Sequence, residues 1–263
     1  MKLSSPNINV MIKSCLKASK VIIRDFGEIE KLQVSLKGPG DFVTTSDKKV
    51  EEILIDELSK ARPNYQILSE ESGAIEKKES EFKWVIDPID GTFNFLHGVP
   101  HFCISVALEK NKEIIAGVIY DPIKDELFAA EKGEGSYLNN YRMRVSGRNK
   151  LENSLIFTGF PKFNSLEKDK TLKEFSMINE ITLCPIRILG SAALDMAYVA
   201  AGRCDGYWQR NLNYWDYAAG IILVKEAGGF VTDFEGGENF IANRAILATN
   251  SKIGSEIIKV LKK

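Results

Sequence analysis

The stretch Trp84–Pro100, WVIDPIDGTFNFLHGVP, limits what this chain can become more than any other. The apolar run Phe82 to Ile86 reads as a strand, and it stops at Asp87-Pro88-Ile89-Asp90-Gly91-Thr92. Proline fixes its own φ and pushes the residue before it into extended geometry. Asp87 is therefore expected at the strand's end and Asp90 in the turn after it. Two carboxylates forced together raise each other's pKa unless positive charge lies between them. A hard divalent cation is the natural counter-charge. Gly91 lets backbone approach a ligand closely, and Thr92 adds a hydroxyl and an N–H at the start of a short helical turn, a favourable place for phosphate. The chain carries its own control: Asp121-Pro122-Ile123-Lys124 has lysine for the second aspartate and no Gly-Thr, and reads as a hairpin turn.

Around this stretch, helical and strand patterns follow one another. Asn7–Phe26 has amphipathic spacing after a Ser5-Pro6 start signal, and a second helix runs from a Ser46 cap to about Ala61. Lys37-Gly38-Pro39-Gly40-Asp41 is a turn or mobile loop between them. Gln66–Ser69 reads as a strand ending at Glu70-Glu71-Ser72-Gly73, and Glu76–Glu81 as an exposed linker. Cys103–Glu109, Ile114–Tyr120 and Glu126–Glu131 suggest an antiparallel meander. Further strands are expected at Leu155–Thr158, Leu183–Leu189, Gly206–Trp208, Phe230–Thr232 and Ala245–Thr249. Helices are expected at Phe163–Asn179, Ala192–Ala201, Trp215–Ala227 and Ser251–Leu261. Mixed sheets with helices between them imply layered α/β packing.

Composition narrows the class. The 263 residues could form one large domain or two small ones, with 44% hydrophobic and 27% charged residues. With a net charge of -1, nothing suggests a general nucleic-acid or membrane surface. No run approaches the roughly 18 apolar residues of a membrane span. Lys2 followed by Ser-Ser-Pro-Asn does not read as a signal peptide, so a cytoplasmic protein is expected. Cys15, Cys103, Cys184 and Cys204 form no CxxC pair and read as buried reduced thiols. His97 and His101 are the only histidines, with Gly98 and Pro100 between them, which argues against a helical zinc pair.

Three motifs carry a resemblance. Asp87-Pro88-Ile89-Asp90-Gly91-Thr92, Glu70-Glu71-Ser72 and Trp215-Asp216-Tyr217-Ala218-Ala219-Gly220, the last followed by Glu226-Ala227-Gly228-Gly229, resemble the inositol monophosphatase family in its own order. So does Asp41-Phe42-Val43-Thr44-Thr45-Ser46-Asp47. Taken alone, Asp47 and Asp216 are acidic residues matched to a helix dipole, Glu70-Glu71 is a solvated turn, and Gly190-Ser191-Ala192 is close helix packing.

The resemblance implies a five-layer α-β-α-β-α sandwich over residues 1–263, one domain of two αβ halves at roughly 1–150 and 151–263. It implies a Mg²⁺-dependent, lithium-sensitive phosphomonoesterase with two or three ions. Its metal ligands would be Glu70, Asp87, the Ile89 carbonyl, Asp90 and Asp216. Glu70 and a Thr92–Asp47 pair would orient the attacking water, with Glu71 in support. Asp90, Gly91, Thr92, Gly190, Ser191, Ala192, Gln209 and Asp216 would face a small phosphorylated polyol or sugar. The glycine-rich loop would correspond to one that helps hold a third metal. A homodimer is a family-level expectation. Related families act on 3′-phosphoadenosine 5′-phosphate, fructose 1,6-bisphosphate, NADP or histidinol phosphate. Some bacterial members also bind RNA polymerase and assist antitermination. One position departs: seven residues before Asp216, inositol-hydrolysing members usually carry glutamate, and here stands Gln209, next to the positive charge of Arg210. That loses a charge-assisted bond to ring hydroxyls.

Overall fold

Alternation along Trp84-Val85-Ile86 divides the interior. Trp84 and Ile86 point into one buried cluster and Val85 into another, as the two-residue period of a strand buried on both faces demands. The structure, a computed structural model, describes residues 5–28, 34–38, 41–77, 80–160 and 168–262.

In chain order the first elements are α1 (Pro6–Phe26), β1 (Val34–Gly38), β2 (Asp41–Thr44), α2 (Thr45–Ala61), β3 (Gln66–Ser69), β4 (Gly73–Ile75), β5 (Phe82–Asp90) and α3 (Thr92–Leu96). A meander follows: β6 (Cys103–Lys110), β7 (Glu113–Asp121), β8 (Glu126–Glu131), β9 (Gly135–Leu138) and β10 (Tyr141–Arg142). Then come β11 (Ile156–Thr158), α4 (Lys168–Ile181), α5 (Ala192–Ala200), β12 (Gly206–Arg210) and α6 (Tyr214–Glu226). The chain closes with β13 (Phe230–Thr232), α7 (Phe240–Asn243), β14 (Ala245–Thr249) and α8 (Gly254–Leu261).

Among the described residues, β1 and β2 pair as a small two-stranded sheet, and two larger sheets and three helical layers make up the body. The larger sheet runs β10-β9-β8-β7-β6-β5-β3-β4 and the smaller β11-β12-β14-β13. On the outer face of the larger sheet, Ile8, Met11, Cys15 and Ile22 of α1 and Val50, Leu54 and Leu58 of α2 cover Trp84, Ile104 and Val118. Each large apolar side chain buried this way stabilises the fold by about 1.5–3 kcal/mol. Between the sheets lie α5 and α6. They fit because they are lined with small residues: a Cβ on Gly220 would sit 2.8 Å from Met196, and one on Gly117 would sit 2.8 Å from the Ala219 carbonyl. Beyond the smaller sheet, α4 and α8 pack on Trp208 and Leu247. This is the expected five-layer sandwich.

Several local expectations change. The cap of α2 is Thr44, not Ser46: Thr44 Oγ1 accepts from the amides of Ser46 and Asp47, and Asp47 Oδ2 accepts from the Thr44 amide at 2.7 Å. This closes a capping box, with Asp47 as its acidic member. Ser46 instead donates to Asp25. Leu183–Leu189 forms no strand and makes only an isolated bridge from Arg187 to Phe157, as Pro185 has no amide to give a ladder. β4 and α7, too short to leave a periodic signal, were not anticipated. Pro39 and Gly40 of the glycine-rich loop, and residues 161–167 of the expected Phe163–Asn179 helix, lie outside the described residues. All four cysteines are free thiols. The chain leaves its short helix at His97, and Gly98 takes a left-handed φ of 69°, so His97 and His101 share no helix. Among the described residues no helix is long and apolar enough to cross a membrane.

Candidate active site

The central motif is strand for longer than its proline suggests. β5 runs through Pro88 to Asp90, and its pairing with β6 slips between Asp87, opposite Ser105, and Asp90, opposite Cys103. Three steps on β5 face two on β6, which is a β-bulge, and Pro88 is the residue that cannot donate to the ladder. The bulge has a chemical result. Residues three apart in a regular strand point to opposite faces, whereas one extra residue brings both Asp87 and Asp90 to the same cleft.

That cleft has a volume of about 380 Å³ and is entered between the two sheets. Its acidic side chains are Glu70, from the end of β3, Asp87, Asp90, and Asp216, from the first turn of α6. Ile89, Gly91 and Thr92 complete that floor, and Gly190, Ala192, Gln209, Asn211 and Asn213 form the facing wall. Gly91 is required twice over: its φ is 96°, and a Cβ there would meet the His101 carbonyl at 3.0 Å.

Three of the four acids, Asp90, Glu70 and Asp216, are supported from behind. Asp90 Oδ2 accepts from Ser191 Oγ at 2.5 Å and from the Ala193 amide at 2.7 Å, at the start of α5. Ser191, expected at the substrate, thus lies behind the cleft as a partner of Asp90. Glu70 is carried on a turn pinned by buried Glu51 of α2, which accepts from the hydroxyls of Ser69 and Ser72 and from the Glu71 amide. The Glu71 backbone therefore belongs to this support. Asp216 Oδ2 accepts from the Asn213 amide at 2.7 Å. Thr92 Oγ1 lies 3.3 Å from Asp47 Oδ1 and 3.0 Å from the Ile89 carbonyl, so the expected Thr92–Asp47 pair forms, with Asp47 buried outside the cleft.

Asp87 is different. Its Oδ1 is buried and has no hydrogen-bond partner among the described residues. Burial first, then the charges of Glu70, Asp90, Asp216 and Asp47, push its pKa well up. Burial likewise raises Asp90 to about 7, against the lowering effect of its bonds to Ser191 and Ala193. An unpartnered buried carboxylate oxygen among acids calls for a cation, and an all-oxygen donor set fits a hard divalent ion. Among the described residues no three acidic side chains are closed around a single point as a finished cage.

The sequence pattern of the inositol monophosphatase family matches residues 4–263. The chain belongs to that family. A relative from Mesorhizobium japonicum named inositol-1-monophosphatase is 49% identical over 257 residues, 97% of this chain and 96% of that one. One from Pasteurella multocida named Nus factor SuhB is 41% identical over 257 residues, covering 97% and 95%. The crystal structure of extragenic suppressor protein suhB from Bartonella henselae superposes with a TM-score of 0.95 at 49% identity, covering 98% and 99%. Family membership places the chain among enzymes that hydrolyse phosphate monoesters.

In this member of the inositol monophosphatase family, Gln209 reaches the cleft wall, while Arg210 does not join it. Strand alternation sends Arg210 to the opposite face, where it pairs with Glu174 at 2.6 Å and stacks over Phe234. Its charge does not offset the change at Gln209. Gln209 packs so closely on Gly159 that a Cβ there would fall 1.9 Å from Oε1. Two supporting residues escaped sequence reasoning. Glu51 is one. Asn94, two residues after Thr92, is the other: its amide donates to the carbonyls of His101 and Leu189 at 2.8 and 2.7 Å and ties the Thr92 turn to the Gly190 loop.

Proposed function

We propose that this chain hydrolyses the phosphate monoester of inositol or a similar small polyol to alcohol and inorganic phosphate, with magnesium as its cation. The observation that carries this reading is the bulge that turns Asp87 and Asp90 into one cleft, leaving Asp87 Oδ1 unpartnered beside Glu70. Glu70, Asp87, the Ile89 carbonyl, Asp90 and Asp216 would hold two or three ions. When bound, magnesium neutralises these carboxylates, acidifies water and offsets charge on the departing oxygen.

The chain's own groups do the rest. A threonine hydroxyl has one proton, and that of Thr92 is committed to Asp47 or to the Ile89 carbonyl. Its oxygen therefore accepts from the attacking water and fixes its direction. Glu70 takes that water's proton. The water oxygen bonds to phosphorus as the bond to the ester oxygen breaks, the departing oxygen takes a proton from a solvent water, and Glu70 returns its proton to solvent, so that alcohol and hydrogen phosphate are released. The floor at Gly91 and Thr92 offers backbone N–H groups to the phosphate, and Gly190, Ala192 and Gln209 face the alcohol.

The test is phosphate release from inositol 1-phosphate with Mg²⁺, beside sugar, nucleotide and histidinol phosphates, with and without lithium. Release that favours inositol phosphate, requires Mg²⁺ and falls with lithium is the expected result. No release from any of them would overturn the reading. The relative named Nus factor SuhB favours a second role in transcription, which retrieval of RNA polymerase by the tagged protein would support. Sedimentation of the pure chain would test the homodimer.

A further inference from the structure

Arg244 closes α7 in the left-handed region, with φ 46° and ψ 37°. A Cβ makes that region unfavourable, and glycine or asparagine is the usual residue at such a helix end. An observed outlier of this kind asks what holds it. Here the side chain and the carbonyl both do. Nε donates to the Leu212 carbonyl at 3.1 Å, and Nη2 donates to Asn213 Oδ1 at 3.0 Å and to the Asn211 carbonyl at 3.5 Å. The Arg244 carbonyl accepts from the amides of Asn211 and Leu212 at 2.6 and 3.4 Å.

The segment it grips is the one that enters the candidate site. The β12–β14 ladder ends at the Arg210–Ala245 pair, so residues 211–213 leave the sheet there. Among the described residues, Arg244 supplies every hydrogen bond this segment makes outside itself and α6. Asn211, Leu212 and Asn213 line the cleft, and the Asn213 amide holds Asp216 Oδ2.

We propose that Arg244 is a positioning residue for Asp216: its guanidinium sets the 211–213 segment, and through Asn213 the direction of the distal carboxylate. The inference rests on the metal reading of the cleft. A guanidinium that only stabilised the fold would give the same contacts, so the test must read the carboxylate itself. Arg244→Gly removes the guanidinium and relieves the left-handed backbone. Arg244→Lys keeps the charge but loses the fork. Residues that orient a metal ligand change metal affinity by 10–100-fold. Calorimetric titration of the metal-free protein with Mn²⁺ should therefore show one binding event weakened about tenfold in both variants. Their melting temperatures should stay within a few degrees of the wild type. On an Asp216→Ala background, Arg244→Gly should add nothing, because the two changes act through one group. Wild-type Mn²⁺ affinity in the variants, or a tenfold loss that persists without Asp216, would overturn the inference. If Arg244→Gly does not fold, Arg244→Lys decides by the same readout. A wild type that takes up no Mn²⁺ would instead bring down the metal reading, and this inference with it.

Discussion

Tyr207 donates its hydroxyl proton to Oε1 of Gln209 at 2.6 Å, and among the described residues that proton has no other acceptor. Tyr207 is fully buried, and burial holds its pKa well above that of an exposed phenol. Flipping the Gln209 amide would strand a buried donor, at a cost of about 1–3 kcal/mol. The amide oxygen is thus tied inward, and its NH₂ end serves the cleft. A wall that would accept hydrogen bonds with a carboxylate donates them with this amide.

Gln209→Glu reverses that polarity without disturbing Tyr207, since one carboxylate oxygen takes the phenol and the other faces the substrate. A charge-assisted bond exceeds a neutral one by roughly 1 kcal/mol. The variant should therefore gain about fivefold in kcat/KM on inositol 1-phosphate. It should lose on phosphates that present a carboxylate or second phosphate to this wall. Steady-state kinetics on both substrate types checks it. An unchanged ratio between them would show that Gln209 does not read the substrate.

Asp90→Asn separates charge from packing. Asparagine keeps an oxygen for Ser191 Oγ and the Ala193 amide, so the α5 contact survives. Losing a ligand carboxylate removes several kcal/mol of charge stabilisation, and kcat/KM should fall at least about a thousandfold. The folded chain should persist, with an unchanged circular dichroism spectrum. Near-normal turnover in this variant would remove Asp90 from the metal set.

What was legible in the sequence follows from how each residue is encoded. Asp87, Asp90 and Asp216 stand in short motifs of unusual composition, beside proline, glycine or tryptophan, and could be read singly. Glu51 could not. It is one of two adjacent glutamates in an amphipathic helix, and periodicity alone does not tell which turns under the β3 turn. The bulge was hidden because Pro88 reads as a strand stop, whereas tertiary pairing with β6 carried the strand past it to Asp90. The strand expected at Leu183–Leu189 failed for the opposite reason: an apolar run was credited although Pro185 interrupts it. Arg210 was misplaced because adjacency in sequence was taken for adjacency in space, although successive strand residues face opposite ways.

Glu51 supplies a prediction of its own. Glu51→Ala takes the acceptor from the buried Ser69 hydroxyl and from the half-buried Glu71 amide at the Glu70 turn, while the exposed Ser72 hydroxyl can turn to water. A loss of about 2 kcal/mol is expected, which for a chain of this size lowers the melting temperature by about 4–8 °C. Glu51→Gln should be far milder. Its oxygen can serve the Glu71 amide, and a serine hydroxyl can rotate to accept from its NH₂. Both variants are compared by thermal melting and by Mg²⁺ dependence of phosphate release. Equal stability of the two would show that the turn does not depend on Glu51.

The last prediction concerns pH in the metal-free protein. The folded pKa of Asp90, about 7, lies above its ordinary value of 3.8, and Asp87 is raised in the same direction. For such acids the stabilising form is the protonated one. Their contribution is full below pH 3.8 and is lost as pH rises through the folded value. His101 works the other way. Burial, then the charge of Lys124, lowers it from 6.5 to about 4, so its contribution is full above pH 6.5 and is lost as pH falls toward 4. Between pH 5 and 7 the raised carboxyls Asp87, Asp90 and Asp195 together oppose one imidazole, so the folded state loses stability as pH rises. In chelator, the melting temperature should therefore be several degrees higher at pH 5.5 than at pH 7.5. Excess Mg²⁺ should abolish or reverse the difference, because the cation favours the ionised carboxylates. A metal-free protein that melts higher at pH 7.5 would mean that burial in the cleft does not hold Asp87 and Asp90 protonated.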